Sequence, residues 1–286
     1  MRPAFNPSQS GFTLVEMIVS LVIAGILAAV LAAFAGRQFR AYTDVTARMA
    51  MADAASVAMN RMTREISAAL PNSVRVDTGG KTVLQFIPIV AGGRYRAEPD
   101  TNCTDTTAKE CKALDFGDSA ATNQTFEVLA PSSALPQKAE DTDQLVVYNL
   151  GVDGSDAYEG DNRSTFSGPT NDGLITLTGQ SAALPYGSPY KRFQIVGFPV
   201  SYVCKGNRLE RRVTKQWPNT FEENAPDDPS GDPALVLDKL AECSFNYTKS
   251  SALGESGIVS IHLRLSDADS GESITLQREI AIYNAP

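Results

Sequence analysis

A carboxylate stands at the edge of a long apolar run. In Ser10-Gly11-Phe12-Thr13-Leu14-Val15-Glu16, the acid lies five residues past a glycine and directly before the apolar stretch 17–36. About 20 apolar residues suffice to cross a bilayer, and an ionisable side chain inside such a segment costs roughly 2.5–3.5 kcal/mol on insertion scales. Glu16 is therefore a functional candidate by default. Other residues with chemical potential are sparse. His262 is the single histidine, and a hydrolytic triad would need a nucleophilic serine and a carboxylate beside it. Ser260 is two residues along the same strand face, while Asp267 and Asp269 fall in the following turn, so an ordinary surface histidine is expected. There is no G-x-x-x-x-G-K-[ST] phosphate loop. Two acidic clusters, Asp153/Asp156/Glu159/Asp161 and Asp227/Asp228/Asp232, offer the oxygens that calcium takes in sixes to eights, but neither keeps EF-hand spacing and both read as solvated loops. Trp217, in Lys215-Gln216-Trp217-Pro218, reads as a loop anchor before it reads as a sugar platform. These residues predict no enzyme, no bound metal and no cofactor.

The elements that must position Glu16 follow from helix breakers. From residue 12 to residue 70 there is no proline, and glycine occurs only at Gly25 and Gly36, so one helix of about 88 Å is possible at 1.5 Å per residue. Pro71 is the predicted stop, because proline disfavours helical geometry in the residue before it. Residues 12–36 form the predicted membrane portion and residues 37–70 an amphipathic one. In the latter, Val45, Met49, Ala52, Ser56, Met59, Met62, Ile66 and Leu70 fall at spacings of three or four and predict a packed stripe. Arg48, Asp53, Asn60, Arg61, Arg64 and Glu65 are predicted to face solvent or a neighbour. Residues 71–286 turn polar, with Asn, Asp, Gly, Ser and Pro clusters between short β-type runs. Strands are predicted over 83–89, 125–129, 144–150, 174–177, 193–202, 208–214, 243–247, 257–265 and 273–283. The clearest alternation is Ile261, Leu263 and Leu265 against Ser260, His262 and Arg264, and Gly271 suits a hairpin turn before the next strand. Long loops over 94–107, 153–172 and 218–233 exceed ordinary connection lengths.

The words G-F-T-L-V-E ahead of an apolar run resemble the N-terminal processing motif of type IV pilins and of the pseudopilins of type II secretion. The resemblance implies that a prepilin peptidase cuts between Gly11 and Phe12, discards the leader 1–11 and leaves Phe12 with an N-methylated amine. A glycine suits such a cut, since a residue without Cβ leaves room for close backbone approach. It also implies that Glu16 neutralises the terminal amine of a neighbouring subunit, an attraction far stronger in a low dielectric than in water. An ordinary signal sequence would instead place small residues after the apolar stretch, and Ala28, Ala29, Ala32, Ala33 and Ala35 offer them; the motif ahead of the run argues against that route. Arg2 precedes the run while Arg37 and Arg40 follow it, so the positive-inside count does not favour the amino terminus in the cytoplasm, which is the orientation the resemblance implies. Pilins often carry a proline within the membrane helix, and this chain has none there.

The expected fold class is α+β: a long N-terminal helix laid across an antiparallel β-rich head, residues 71–286. Within the head, the segments 148–151, 157–163, 192–196, 200–204 and 282–284 resemble minor pilins of the mannose-sensitive haemagglutinin (MSHA) pilus system, and more distantly the tip pseudopilins of type II secretion. Cys103, Cys111, Cys204 and Cys243 all lie in this region, an even count that favours disulfides in an exported domain. Three connectivities are possible; nearest-neighbour pairing is preferred because Cys103 and Cys111 bracket one loop. A four-cysteine zinc site is disfavoured by the spacing. Residues 71–286 hold 19 Lys and Arg against 29 Asp and Glu, so nucleic-acid binding, which needs surplus cation, is not expected. The reading is a minor pilin or pseudopilin anchored once in the inner membrane with a periplasmic head, whose partners are other pilins through the helix and the prepilin peptidase. A monomeric anchored module that binds a ligand through its acidic loops or Trp217 is the competing reading.

Overall fold

A computed structural model describes residues 11, 13–77, 79–105, 107–117, 123–129, 135, 143–178, 184–213, 217, 233–250 and 256–285. Two compact units emerge, residues 1–50 with 267–272 and residues 51–266 with 273–286. One helix, α1 (Leu14–Ser67), contributes to both. Fourteen strands follow among the described residues: β1 (Arg75–Val76), β2 (Val83–Phe86), β3 (Ile89–Arg94), β4 (Thr125–Glu127), β5 (Gln144–Val146), β6 (Arg163–Ser167), β7 (Leu174–Thr178), β8 (Arg192–Val196), β9 (Val200–Lys205), β10 (Arg208–Val213), β11 (Ala234–Leu237), β12 (Leu240–Ser250), β13 (Ser256–Ser266) and β14 (Ser273–Tyr283). The α+β class expected from the sequence is the class observed, but the head holds three antiparallel sheets: β1-β2-β9-β10-β11, β12-β13-β14 and β3-β8-β5-β6-β7-β4.

In the first unit, residues 14–50 of α1 are solvent-facing on every side where side chains are described, apart from a few half-buried positions. An 18-residue window of this helix reaches a mean hydropathy of 2.8, with none of it buried. The turn 267–272 closes on itself: Asp267 N–H donates to the Glu272 carbonyl and Gly271 N–H to the Asp267 carbonyl, both at 2.9 Å. Arg48 donates to Glu272 at 2.8 Å.

In the second unit, residues 51–67 of α1 supply Met51, Ala55, Ala58, Met59, Met62 and Ile66 to a core shared with Leu84, Tyr202, Phe245, Ile261 and Leu263. The predicted stripe is correct from Met59 onward and rotated before it. Val45 and Met49 are exposed, Ala52 is half-buried and Ser56 is exposed, while Met51 and Ala55 are buried. Met51, Ala55, Met59, Met62 and Ile66 keep the spacing of three and four; carrying the stripe back through Ser56 and Ala52 put it one position off phase. The helix also ends earlier than Pro71 requires. Ala69 pairs with Pro88 as an isolated bridge, Leu70 N–H donates to Ile87 O at 2.8 Å and Ile89 N–H to Ala68 O at 3.2 Å. Those backbone groups are spent on the sheet, so they cannot continue the helix.

Two predicted strands are each broken in two. Pro88 separates β2 from β3, and Gly197-Phe198-Pro199 separates β8 from β9; a proline has no N–H to give a ladder. The breaks lie side by side, since Phe86 pairs Val200, Ile89 pairs Val196 and Gly197 N–H donates to Pro88 O at 3.1 Å. At this seam two neighbouring segments leave the five-stranded sheet and enter the six-stranded one, whose own core includes Phe126, Leu145, Phe193 and Ile195. Strands β1, β6 and β11 lie outside the predicted set, β6 inside the predicted loop 153–172. The predicted loop 218–233 lies, apart from Pro233, outside the described residues, as do Asp227, Asp228 and Asp232.

Candidate functional site

The amino-terminal end of α1 is built by Thr13. Its hydroxyl accepts the Glu16 N–H at 3.3 Å, one half of the T-x-x-E capping box in which a threonine satisfies the third helical amide. Glu16 thus sits in the first turn, where the helix dipole favours negative charge. Its carbonyl accepts from the Ser20 hydroxyl at 2.7 Å, and its carboxylate has no partner among the described residues. A Cβ built at Gly11 would meet nothing within 4 Å. The described residues therefore make no packing demand for glycine at position 11. Phe12 lies outside the described residues.

Residues 6–32 match the prokaryotic N-terminal methylation motif. The match supports a type IV pilin- or pseudopilin-like protein, a structural subunit rather than an enzyme, and it implies dealings with other pilins and with a prepilin peptidase. The exposed apolar part of α1 fits a membrane-anchored pilin. No curated protein and no solved structure matches the chain.

Outside the methylation motif, the most concentrated electrostatic feature is Glu65 on α1. It accepts from Arg61 Nε at 3.0 Å, from Arg211 Nε at 2.8 Å and from the Tyr202 hydroxyl at 3.0 Å. Burial alone would raise its pKa, but the hydrogen bonds from Arg211 and Arg61, the Arg211 charge and Tyr202 outweigh it and hold the carboxyl below its usual range. Tyr202 is pushed up, first by burial and then by the Glu65 charge. The sequence pattern assigned Glu65 to a solvent or neighbour-facing position; its partners stand 137 and 146 residues away, which no local pattern discloses. The T-x-x-E box, by contrast, is a readable signal.

The remaining candidates resolve into structural roles or scattered positions. Disulfides join Cys103 to Cys111, with Cα atoms 5.5 Å apart, and Cys204 to Cys243, with Cα atoms 6.1 Å apart. The first joins cysteines at a sequence separation of 8, and the second links β9 to β12, hence the five-stranded sheet to the three-stranded one. His262 is half-buried, faces Ser244 and Gln277 across the sheet and has no hydrogen-bond partner among the described residues. Trp217 lies against the Arg163 guanidinium, 4.3 Å from the ring centroid, and against Phe198. Burial lowers the Arg163 pKa to about 10. Of the acidic cluster, Asp153, Glu159 and Asp161 bring carboxylate oxygens within 4.8 Å of one another, while Asp156 turns Oδ1 to the Tyr158 N–H at 2.8 Å. Burial and then the charges of Asp156, Asp161 and Asp153 raise Glu159.

Three head segments, 148–151, 157–163 and 282–284, meet at the exit of α1. Asn284 accepts Asn72 N–H at 3.1 Å through Oδ1, Asn149 Nδ2 donates to Pro71 O at 2.7 Å, and Asn162 Nδ2 donates to Asn149 Oδ1 at 3.2 Å. Gly151, at φ +64°, lies so near that a Cβ would stand 2.8 Å from Asn72 O. These residues tie the chain leaving the helix to three distant loops, a positioning role for the head.

Proposed function

We propose that this chain is a minor pilin or pseudopilin: a non-enzymatic subunit cleaved between Gly11 and Phe12, N-methylated on Phe12, held by residues 12–36 in the inner membrane with a periplasmic head, and drawn into a type IV pilus of the MSHA kind. The carrying observation is the match over residues 6–32, in which a lone carboxylate sits in the first turn of an exposed apolar helix. Glu16 has no counter-charge among the described residues, and a neighbouring subunit's terminal amine would supply one where the low dielectric makes the pairing strong. The open surroundings of Gly11 support a glycine kept for a peptidase rather than for the fold.

Intact-mass and N-terminal analysis of chain recovered from membranes tests the reading. A mature start at a methylated Phe12 is expected; a start at Met1, or a cut after Ala28, overturns it. Glu16→Ala leaves that processing unchanged and lowers incorporation into filaments at least about tenfold, the scale of one lost ion pair in a low-dielectric site. Undiminished incorporation overturns the role assigned to Glu16.

A further inference from the structure

We propose that an arginine notch at the end of α1 docks a carboxylate patch, Asp153, Glu159 and Asp161, on a second copy of this chain. The notch is a cavity of about 440 Å³ lined by Arg61, Arg64, Arg211 and Glu65, with Pro88 and Ile89 among its apolar walls. Three arginines and one carboxylate line it. Arg61 and Arg211 share Glu65 through their Nε atoms, and Arg64, exposed, has no ion pair among the described residues. Two positive charges are thus left over on a head that is otherwise acidic. Guanidinium forks fit carboxylates in two-point hydrogen bonds, so the ligand this notch suits is an acidic side chain, and the apolar walls strip water from the contact.

Charge complementarity selects the occupant. The same chain presents three carboxylates within 4.8 Å of one another, with Asp153 and Glu159 exposed and Asp161 half-buried. Neither Asp153 nor Glu159 has an ion pair among the described residues, and repulsion within the patch is relieved only in part, by the Arg163 charge acting on Asp161 and by a hydrogen bond between Glu159 and Asp161. Seating the patch in the notch sets three negative charges against two positive ones and offsets both imbalances. Because notch and patch are different surfaces, the contact is head-to-tail and leaves each pair with a free notch and a free patch, so association proceeds beyond dimers. This contact is independent of what happens at Gly11.

Sedimentation velocity of the full chain in detergent, with near-UV circular dichroism as the check on folding, tests it. In low salt the wild type forms species larger than dimers, and raising salt to about 0.5 M, where charges are screened beyond a few ångströms, disperses them. Arg64→Glu and Glu159→Arg, both at exposed positions, each weaken association about tenfold or more. The doubly reversed chain recovers it. An equimolar mixture of the two single variants also recovers association beyond dimers, since the notch kept by one copy takes the patch kept by the other and the two reversed surfaces pair with each other. A wild type that stays monomeric, association indifferent to salt, or single variants that assemble like wild type would each overturn the proposal.

Discussion

The two stretches of α1 solve the same problem differently. Residues 51–67 place Met59, Met62 and Ile66 against sheet residues and leave them at most 1% exposed. Residues 14–36 are at least as apolar, yet Leu27 remains 57% exposed and Leu31 67%. In the first case the chain supplies its own cover; in the second the described residues supply none. A contiguous exposed apolar surface marks a membrane or partner contact, and an amphipathic stripe marks a core. One helix thus carries one surface covered by the head and another left exposed among the described residues.

That contrast breaks most sharply at matched side chains. Met62→Ala removes a fully buried side chain from the shared core and should cost about 2–5 kcal/mol of head stability. Leu27→Ala removes a comparable side chain with no partner inside the chain, and should change head stability by less than about 0.5 kcal/mol. Urea unfolding in detergent, followed by near-UV circular dichroism, separates the two; equal losses would mean that the head depends on the apolar stretch.

How far each half is readable in the sequence follows from where its partners lie. The long helix is legible because no proline interrupts residues 12–70, and β13 is legible because Val259, Ile261, Leu263 and Leu265 alternate with half-buried or exposed residues. The processing motif is contiguous and needs no folded context to be read. The split of 83–89 and of 193–202 between sheets is foreshadowed only by Pro88 and Pro199, since a strand that changes sheet keeps its apolar character throughout. Strand β6, Arg-Ser-Thr-Phe-Ser, has too few apolar residues to announce itself and is held by its neighbours β5 and β7. The Glu65 site is assembled from α1, β9 and β10, and the arginine notch from α1, β3 and β10; both depend on tertiary placement that sequence periodicity does not carry.

The two glutamates of α1 sharpen the comparison further. Glu65 is paired within the chain, whereas the Glu16 carboxylate has no partner among the described residues; the Glu65 pairing should couple head stability to pH. Its carboxyl titrates below the ordinary value in the folded state. Its contribution is therefore fully present above the unfolded carboxyl range, near pH 4.3, and is lost as pH falls through the lower folded value. Glu65→Gln removes the charged acceptor from Arg61, Arg211 and Tyr202 and should cost about 1–2 kcal/mol at neutral pH. Its stability should also fall less steeply than the wild type's below pH 4.3. Denaturant midpoints across pH 2.5–7 measure both effects; parallel curves for wild type and variant would deny Glu65 this role.

The smallest effect belongs to the cap. Thr13→Ala deletes the oxygen that accepts the Glu16 N–H and should cost about 0.5–1 kcal/mol of local helix stability. Because residues 14–36 have no cover inside the chain, that loss cannot be absorbed by packing and should appear as faster amide exchange in the first turn in micelles. Exchange at residues 59–66, and the denaturation midpoint of the head, should stay at wild-type values. Thr63 offers the control on the same helix: its hydroxyl donates to Met59 O at 2.7 Å and caps nothing, so Thr63→Ala should leave the first turn untouched. If Thr13→Ala instead destabilised the head, the two stretches of α1 would be energetically continuous, and the division between a surface awaiting partners and a surface already covered would fail.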